Sequence, residues 1–254
     1  MRLLLVSDLH YTLKQFDWVH AVADRFQLVV IAGDHLDISS VVQADLQIVV
    51  IMKYLKRLRE RTRLLVSSGN HDLNGHDPSG ERAALWLAKA RDIGAAVDGD
   101  TLDVDDTVVT VCPWWDGPLG RDAVGALLAR DAQRTRRQWI WVYHSPPDAS
   151  PVSWTGSKYY GDSDLVQWID TYQPTLVLTG HIHQSPFRQG GSWVDRLGAT
   201  WVFNAGRQIG PCPTHVIIDT DERTAKWFSL AGNEIVRLDE PLTRPVQELV
   251  ASEN

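Results

Sequence analysis

Side chains of the kinds that bind metal ions recur directly after short apolar runs in this sequence. The first example is Asp8-Leu9-His10, which follows the apolar residues 3–6. In an extended chain, residues two apart point to the same side, so Asp8 and His10 can face one point. A carboxylate oxygen and an imidazole nitrogen at this spacing suit a divalent transition-metal ion.

Four more apolar runs end in the same way. They cover residues 28–32, 64–66, 139–143 and 175–179, and the groups that follow are Gly33-Asp34, Gly69-Asn70-His71-Asp72, His144 and Gly180-His181-Ile182-His183. The strand-end donors are Asp8, His10, Asp34, Asn70, His71, His144, His181 and His183. One ion takes about four to six ligands, so this set is too large for one ion and suits two.

The pattern around these donors predicts an α/β protein. Short apolar runs, which we interpret as buried strands, alternate with helical patterns such as residues 39–61 and 81–93, and from about residue 200 onward strands follow one another. Such an order is typical of layered folds whose sheets are covered by helices. Ligands of these folds bind beyond the carboxyl ends of the strands, which is where the donors lie.

Composition narrows the class of protein. The 254 residues are 44% hydrophobic and 22% charged, as in ordinary globular proteins, and the net charge is −7. That charge does not favour a nucleic-acid partner, although a local basic groove would still allow one.

No apolar run approaches the roughly 18 residues of a membrane helix, and no leader is recognisable. Cys112 and Cys212 are far apart. We therefore expect a cytoplasmic protein with no membrane partner.

The absence of a repeat or linker in the sequence favours one domain. We predict that it covers residues 1–230, and that residues 231–254, which are polar and mixed, form a surface-packed or partly mobile tail.

The five donor blocks, in this order, resemble those of the calcineurin-like metallophosphoesterase superfamily. Asn204-Ala205-Gly206 is similar to the Asn-x-Gly turn that often follows them in that family. The resemblance implies a four-layer αββα sandwich of two mixed sheets flanked by helices, with a dinuclear metal centre. It also implies a hydrolase that cleaves phosphoesters by in-line attack of a metal-bound hydroxide.

The resemblance also implies a role for each donor. Asp8, His10 and His183 would bind the first ion, Asn70, His144 and His181 the second, and Asp34 would bridge them. His71 would protonate the leaving oxygen, oriented by Asp72. His, Asp and Asn accept Mn, Fe, Zn, Co and Ni alike; Mn and Fe are favoured here.

The substrate is expected to be a small phosphoester. The protein phosphatases of the superfamily carry Gly-Asp-x-x-Asp-Arg-Gly and Gly-Asn-His-Glu, whereas this chain has Ile38-Ser39 after Asp37, and Asp72 in place of the Glu. It therefore resembles the phosphodiesterase-type branch, with a small or nucleotide-like substrate. Trp114-Trp115 and residues 145–161 would form the walls of the site, since aromatic faces stack on bases.

Three alternatives stay open at this point. The first is a phosphomonoesterase or protein phosphatase. The second is a nuclease, supported by the arginines within residues 53–63 and 130–137. The third is a non-catalytic scaffold on the same fold, against which the intact donor set argues.

Overall fold

The computed structural model describes residues 1–249. Its α-helices are α1 (Leu13–Val22), α2 (Ala44–Arg59), α3 (Pro118–Ala132) and α4 (Ser163–Tyr172). The strands, in chain order, are β1 (Arg2–Val6), β2 (Leu28–Ala32), β3 (Arg63–Ser67), β4 (Gly75–His76), β5 (Arg82–Ala83), β6 (Ala96–Val97), β7 (Thr101–Val104), β8 (Thr107–Val111), β9 (Gln138–Val142), β10 (Leu176–Thr179), β11 (Val194–Leu197), β12 (Thr200–Asn204), β13 (His215–Asp219), β14 (Thr224–Phe228), β15 (Asn233–Arg237) and β16 (Gln247–Glu248).

Two mixed sheets form the centre of the molecule. The first has the strand order β16-β15-β14-β13-β1-β2-β3-β6, and the second has the order β11-β12-β10-β9-β8-β7. In the first sheet β1, β2, β3 and β6 run parallel, while β13 pairs antiparallel with β1. In the second sheet β8, β9, β10 and β12 run parallel, with antiparallel strands at both edges. A separate hairpin joins β4 and β5.

The two sheets pack face to face and helices cover their outer faces. Leu5 and Val30 of the first sheet share a core cluster with Ile140 and Leu178 of the second. The outer face of the first sheet packs against α1 and α2, and that of the second sheet packs against α3 and α4. Strand β2 is buried along its whole length because it is covered on both sides. The predicted four-layer αββα sandwich is therefore confirmed.

The helix predicted over residues 81–93 is wrong. Residues 82–83 form β5, and a 3-10 turn covers Leu87–Ile93. The backbone N–H of Trp86 donates to Asn74 Oδ1, and its indole Nε1 donates to the carbonyl of Asp72. These contacts tie the segment to the loop that follows β3, so tertiary hydrogen bonds replace a regular helix here.

The segment predicted as a tail continues the first sheet at its edge. Strand β15 pairs with β14, and β16 pairs with β15, so residue 230 falls between two neighbouring strands of one sheet. Most residues of this segment are half-buried or exposed up to residue 249, and residues 250–254 of the predicted tail lie outside the described residues. None of the helices within residues 1–249 is long and apolar enough to span a membrane.

Candidate metal centre

The candidate donors lie at the carboxyl ends of neighbouring strands in the two sheets. Asp8 follows β1, Asp34 follows β2 and Asn70 follows β3, while His144 follows β9 and His181 follows β10. Strands β1, β2 and β3 are neighbours in one sheet, and β9 and β10 are neighbours in the other. Because the sheets pack face to face, these loops converge on one region, as in other α/β folds.

The chain turns sharply at these positions, and the turns are strained. Asp8, His10, Asp34 and His181 have positive φ angles of 55°, 41°, 55° and 67°. A non-glycine residue in this conformation costs on the order of 1 kcal/mol or more. Four candidate donors share this cost, so the surrounding packing fixes a backbone that these residues would not adopt alone.

Two glycines allow the loops to approach one another closely. A Cβ added at Gly33, whose φ is +83°, would lie 2.2 Å from Nδ1 of His144. A Cβ added at Gly69 would lie 2.2 Å from Oδ1 of Asp34. Any side chain at either position would therefore displace a candidate ligand.

Four ligating atoms gather around the end of β1. Asp8, His10, Asp34 and His183 each offer one such atom, and all four atoms lie within 4.8 Å of one another. Nε2 of His183 is 3.2 Å from Oδ1 of Asp8 and 2.9 Å from Nε2 of His10. Two imidazole nitrogens and two carboxylates aimed at one point form a donor set suited to a divalent ion.

A second group shares Asp34 with the first. The ligating atoms of Asp34, His144 and His181 also lie within 4.8 Å of one another. Asn70 is in a short 3-10 turn, and the N–H of His71 in that turn donates to Oδ1 of Asp34 at 2.9 Å. The structure thus brings together six of the predicted donors, with Asp34 in both groups: Asp8, His10, Asp34, His144, His181 and His183.

Two buried polar atoms of the predicted donors lack hydrogen bonds within the described part of the chain. Neither Oδ1 of Asn70 nor Nε2 of His144 has a hydrogen-bond partner among residues 1–249. Nδ1 of His144 donates to the carbonyl of Ala32 at 2.7 Å, which fixes the ring so that Nε2 faces the donors. Since buried polar atoms in proteins are rarely left unpaired, these two atoms fit a bound cation.

The charges of the site keep its two carboxylates in their ligating, ionised form. Burial raises the pKa of Asp8, but the hydrogen bond from His183 and the charge of His144 outweigh it, and the pKa is about 2. Burial likewise raises the pKa of Asp34, but His144 and His10 outweigh the effect of burial and hold this pKa well below its usual range. Both carboxylates are therefore ionised at neutral pH.

The imidazoles of the site differ in the direction in which their pKa values shift. Burial lowers the pKa of His10 to about 4, and burial together with the charge of His144 lowers the pKa of His181 to about 4. Burial also lowers the pKa of His144, but the charge of Asp34 outweighs it and the pKa is about 9. A metal ion bound between His144 and Asp34 would replace the proton of His144, so binding would release a proton.

The Asp72 carboxylate, which we expected to orient His71, makes its hydrogen bonds to other groups. Oδ1 of Asp72 accepts from the N–H groups of His35 and Leu36, and Oδ2 accepts from the N–H of Gly69 and lies 3.0 Å from Nδ1 of His35. With both oxygens occupied, Asp72 ties the loop after β2 to the loop after β3. The buried His35 belongs to this tie.

Asp37 is the acidic residue that faces His71. The ligating atoms of His10, Asp37 and His71 lie within 4.8 Å of one another, and Nδ1 of His71 accepts from the N–H of Ile38 at 3.4 Å. Asp37 was not among the predicted site residues. The signal was present in Gly33-Asp34-His35-Leu36-Asp37, where a second carboxylate follows the first by three residues.

The chain resembles known proteins both in its sequence and in its fold. The sequence model of the calcineurin-like phosphoesterase family matches residues 1–185. No curated protein has a significant match to the chain. Among solved structures, TT1561 of Thermus thermophilus is 14% identical with a TM-score of 0.58, over 93% of this chain and 98% of that one. The purple acid phosphatase PPD1 from yellow lupin seeds is 12% identical with a TM-score of 0.55, over 97% of this chain and 53% of that one. At these identities the likeness to the two structures concerns the fold.

Because Asp34 belongs to both donor groups, the loss of its charge should weaken the binding of both metal ions. We expect Asp34→Asn to weaken the binding of both ions by more than about tenfold, because removing even a partner of a ligand costs 10- to 100-fold. His183→Ala, which changes the first group alone, is expected to weaken one ion. The measurement is the metal content per chain by elemental analysis after dialysis, with circular dichroism as the control for folding. Two ions retained by Asp34→Asn would contradict the shared role of this side chain.

Proposed function

The chain belongs to the calcineurin-like phosphoesterase family, and on that basis we propose that it is a phosphodiesterase acting on small, nucleotide-like substrates. Members of this family are metal-dependent phosphoester hydrolases. The observation that supports a dinuclear centre in this chain is the sharing of Asp34 by two donor groups.

We assign the donors as follows. Asp8, His10 and His183 hold one ion, Asn70, His144 and His181 hold the other, and Asp34 contacts both. When bound, two divalent ions lower the pKa of water and withdraw negative charge from a phosphoryl group. The His and Asp ligands accept several metals, and we favour Mn or Fe.

His71 is the proposed proton donor to the leaving oxygen. Its ring lies against that of His10 with centroids 4.5 Å apart, and its Nδ1 accepts from the N–H of Ile38. A ring that accepts at Nδ1 carries its proton on Nε2 when neutral, which leaves Nε2 as the donor. Asp37 lies beside the ring, and we propose that it, rather than Asp72, positions His71.

The absence of cationic side chains from the cavity wall favours a diester substrate over a monoester. The cavity of about 360 Å³ next to His144 and His181 is lined entirely by described residues, and none of these is Lys or Arg. A monoester carries a second negative charge that this wall leaves uncompensated, whereas a diester carries one. The chain also has Ile38 where the protein phosphatases of the superfamily have arginine.

Several of the arginines that would support a nuclease pair with neighbouring carboxylates. Arg61 pairs with Asp24 at 3.0 Å, and Arg130 pairs with Asp131 at 2.9 Å. Arg134 pairs with Asp103. These local ion pairs leave less positive charge for a nucleic-acid backbone, so a small substrate is the better proposal.

His71 provides a test of the proton-donor assignment. We expect His71→Ala to keep both ions and to lower kcat for alkyl diesters by about 10²- to 10⁴-fold, the usual contribution of a general acid. His76→Ala, an exposed histidine of the β4–β5 hairpin, is the matched control and is expected to keep wild-type kcat. Unchanged hydrolysis of alkyl diesters by His71→Ala, at wild-type metal content, would show that another group supplies the proton.

The class of ester is tested with a pair of chromogenic substrates. We expect kcat/KM for bis-p-nitrophenyl phosphate to exceed that for p-nitrophenyl phosphate, because the cavity wall lacks cationic side chains. Activity is expected to disappear after metal removal by a chelator and to return with Mn²⁺. A higher kcat/KM for the monoester would refute the diesterase proposal, and unchanged activity in the chelator would refute metal dependence.

A further inference from the structure

Helix α2 contributes one buried amide to residues 37–42, which we call the Asp37 loop. Gln47 is 1% exposed, and its side chain makes three hydrogen bonds to that loop. Its Oε1 accepts from the N–H of Asp37 at 2.8 Å, and its Nε2 donates to the carbonyls of Asp37 and Val42 at 2.9 and 2.7 Å. The amide therefore uses its carbonyl and both of its N–H groups on a single loop.

Apolar packing does little to hold the Asp37 loop in place. Its side chains Ile38 and Val41 are 71% and 101% exposed. Within the loop, the carbonyl of Asp37 also accepts from the N–H of Ser40 at 3.1 Å. The conformation of the loop therefore depends on hydrogen bonds, and those of Gln47 connect it to helix α2.

One peptide group links Gln47 to the proposed proton donor. The carbonyl of Asp37, which accepts from Gln47, and the N–H of Ile38 belong to the same peptide, which is planar and trans. That N–H donates to Nδ1 of His71 at 3.4 Å. In a trans peptide the carbonyl and the N–H point in opposite directions. A carbonyl held against α2 therefore aims the N–H at the imidazole ring.

The Asp37 loop also places a carboxylate beside the ring. The ligating atoms of Asp37 and His71 lie within 4.8 Å of each other. A neutral ring can accept from the N–H of Ile38 at Nδ1, whereas a protonated ring needs an acceptor on that side. The loop thus offers a partner for either form of the ring, and both partners flank the carbonyl that Gln47 holds.

We propose that Gln47 is a positioning residue for proton transfer, which orients the His71 ring through the Asp37–Ile38 peptide. The proposal rests on the proposed function, because it takes His71 as the group that protonates the leaving oxygen. Gln47 is not one of the candidate metal ligands, so its loss is expected to leave metal binding intact. Its loss should slow only the reactions whose leaving group needs a proton.

Two diesters that differ in this need provide the first test. Bis-p-nitrophenyl phosphate releases a weakly basic phenolate, whereas the dinucleotide thymidylyl-thymidine releases a strongly basic alkoxide. We expect Gln47→Leu, at wild-type metal content, to lower kcat for the dinucleotide by about tenfold more than kcat for the aryl diester, a part of the 10²- to 10⁴-fold contribution of a general acid. An equal loss for the two substrates would reduce Gln47 to a structural role and overturn the proposal.

A second buried glutamine is the matched control. Gln15 of α1 is 2% exposed, and its Nε2 donates to the carbonyls of Gln208 and Gly210 at 3.0 and 3.1 Å. Neither carbonyl belongs to the Asp37 loop, so Gln15→Leu is expected to keep the wild-type ratio between the two kcat values. An equal change of the ratio in both variants would show that the loss of any buried amide is sufficient. Gln47→Met, with an unbranched side chain of similar length, is the second variant should Gln47→Leu not fold.

A double variant tests whether Gln47 acts through His71. In a His71→Ala background there is no ring to position, so we expect Gln47→Leu to lower kcat for the dinucleotide by less than about twofold further. Two independent effects would multiply instead. A further loss of about tenfold in this background would contradict the path through the ring.

The state of the ring can also be measured without turnover. In protein that carries isotope-labelled histidine and bound Zn²⁺, the nitrogen resonances of His71, assigned by their absence from His71→Ala, show which nitrogen bears the proton. At about pH 8.5, well above the ordinary pKa of histidine, we expect the proton on Nε2 in the wild type and a mixture of both forms in Gln47→Leu. A proton on Nδ1 in the wild type, or an unchanged ring in Gln47→Leu, would overturn the proposal.

The two proposals can fail separately. A protein that shows the expected change of the ring but hydrolyses no phosphoester with Mn²⁺ would overturn the proposed function alone. A protein whose His71→Ala variant loses the dinucleotide reaction, while its Gln47→Leu variant keeps that reaction, would overturn the positioning role alone.

Discussion

Asp34 holds a buried negative charge where the two sheets meet, and the candidate centre depends on that charge. Burial alone would favour the protonated carboxyl, but imidazoles from both sheets face it, and the pKa of Asp34 is well below its usual range. His10 follows β1 of the first sheet, whereas His144 follows β9 of the second. The same electrostatic contact that keeps Asp34 ionised therefore also ties the two halves of the sandwich together at the site.

Rigid strands and strained turns share the task of aiming the donors. The strand ends are fixed by a core that fills the space between the sheets, while Asp8, His10, Asp34 and His181 adopt positive φ angles directly after those strands. Such turns are stable when the surrounding structure fixes them, and their concentration here is typical of functional sites. The hydrogen bonds of Asp72 also tie together the loops after β2 and β3.

The sequence was sufficient to predict the layered fold and the gathering of donors at strand ends, because an apolar run that ends in a donor indicates a buried strand and the place where that strand ends. It was insufficient where long-range contacts decide. The 3-10 turn at Leu87–Ile93 depends on hydrogen bonds of Trp86 to residues before it, and the partner of Asp72 is set by the loop that carries His35. The approach of Asp37 to His71 depends on how separate loops meet, which periodicity does not encode.

The central claim is that Asp34 joins two metal ions in one site. The most direct measurement is the anomalous diffraction of crystals grown with Mn²⁺, collected at a wavelength where manganese scatters anomalously. The account predicts two peaks about 3.5–4 Å apart, with a carboxylate oxygen of Asp34 in contact with both ions. A single peak at full occupancy, or two peaks of which only one contacts Asp34, would contradict it.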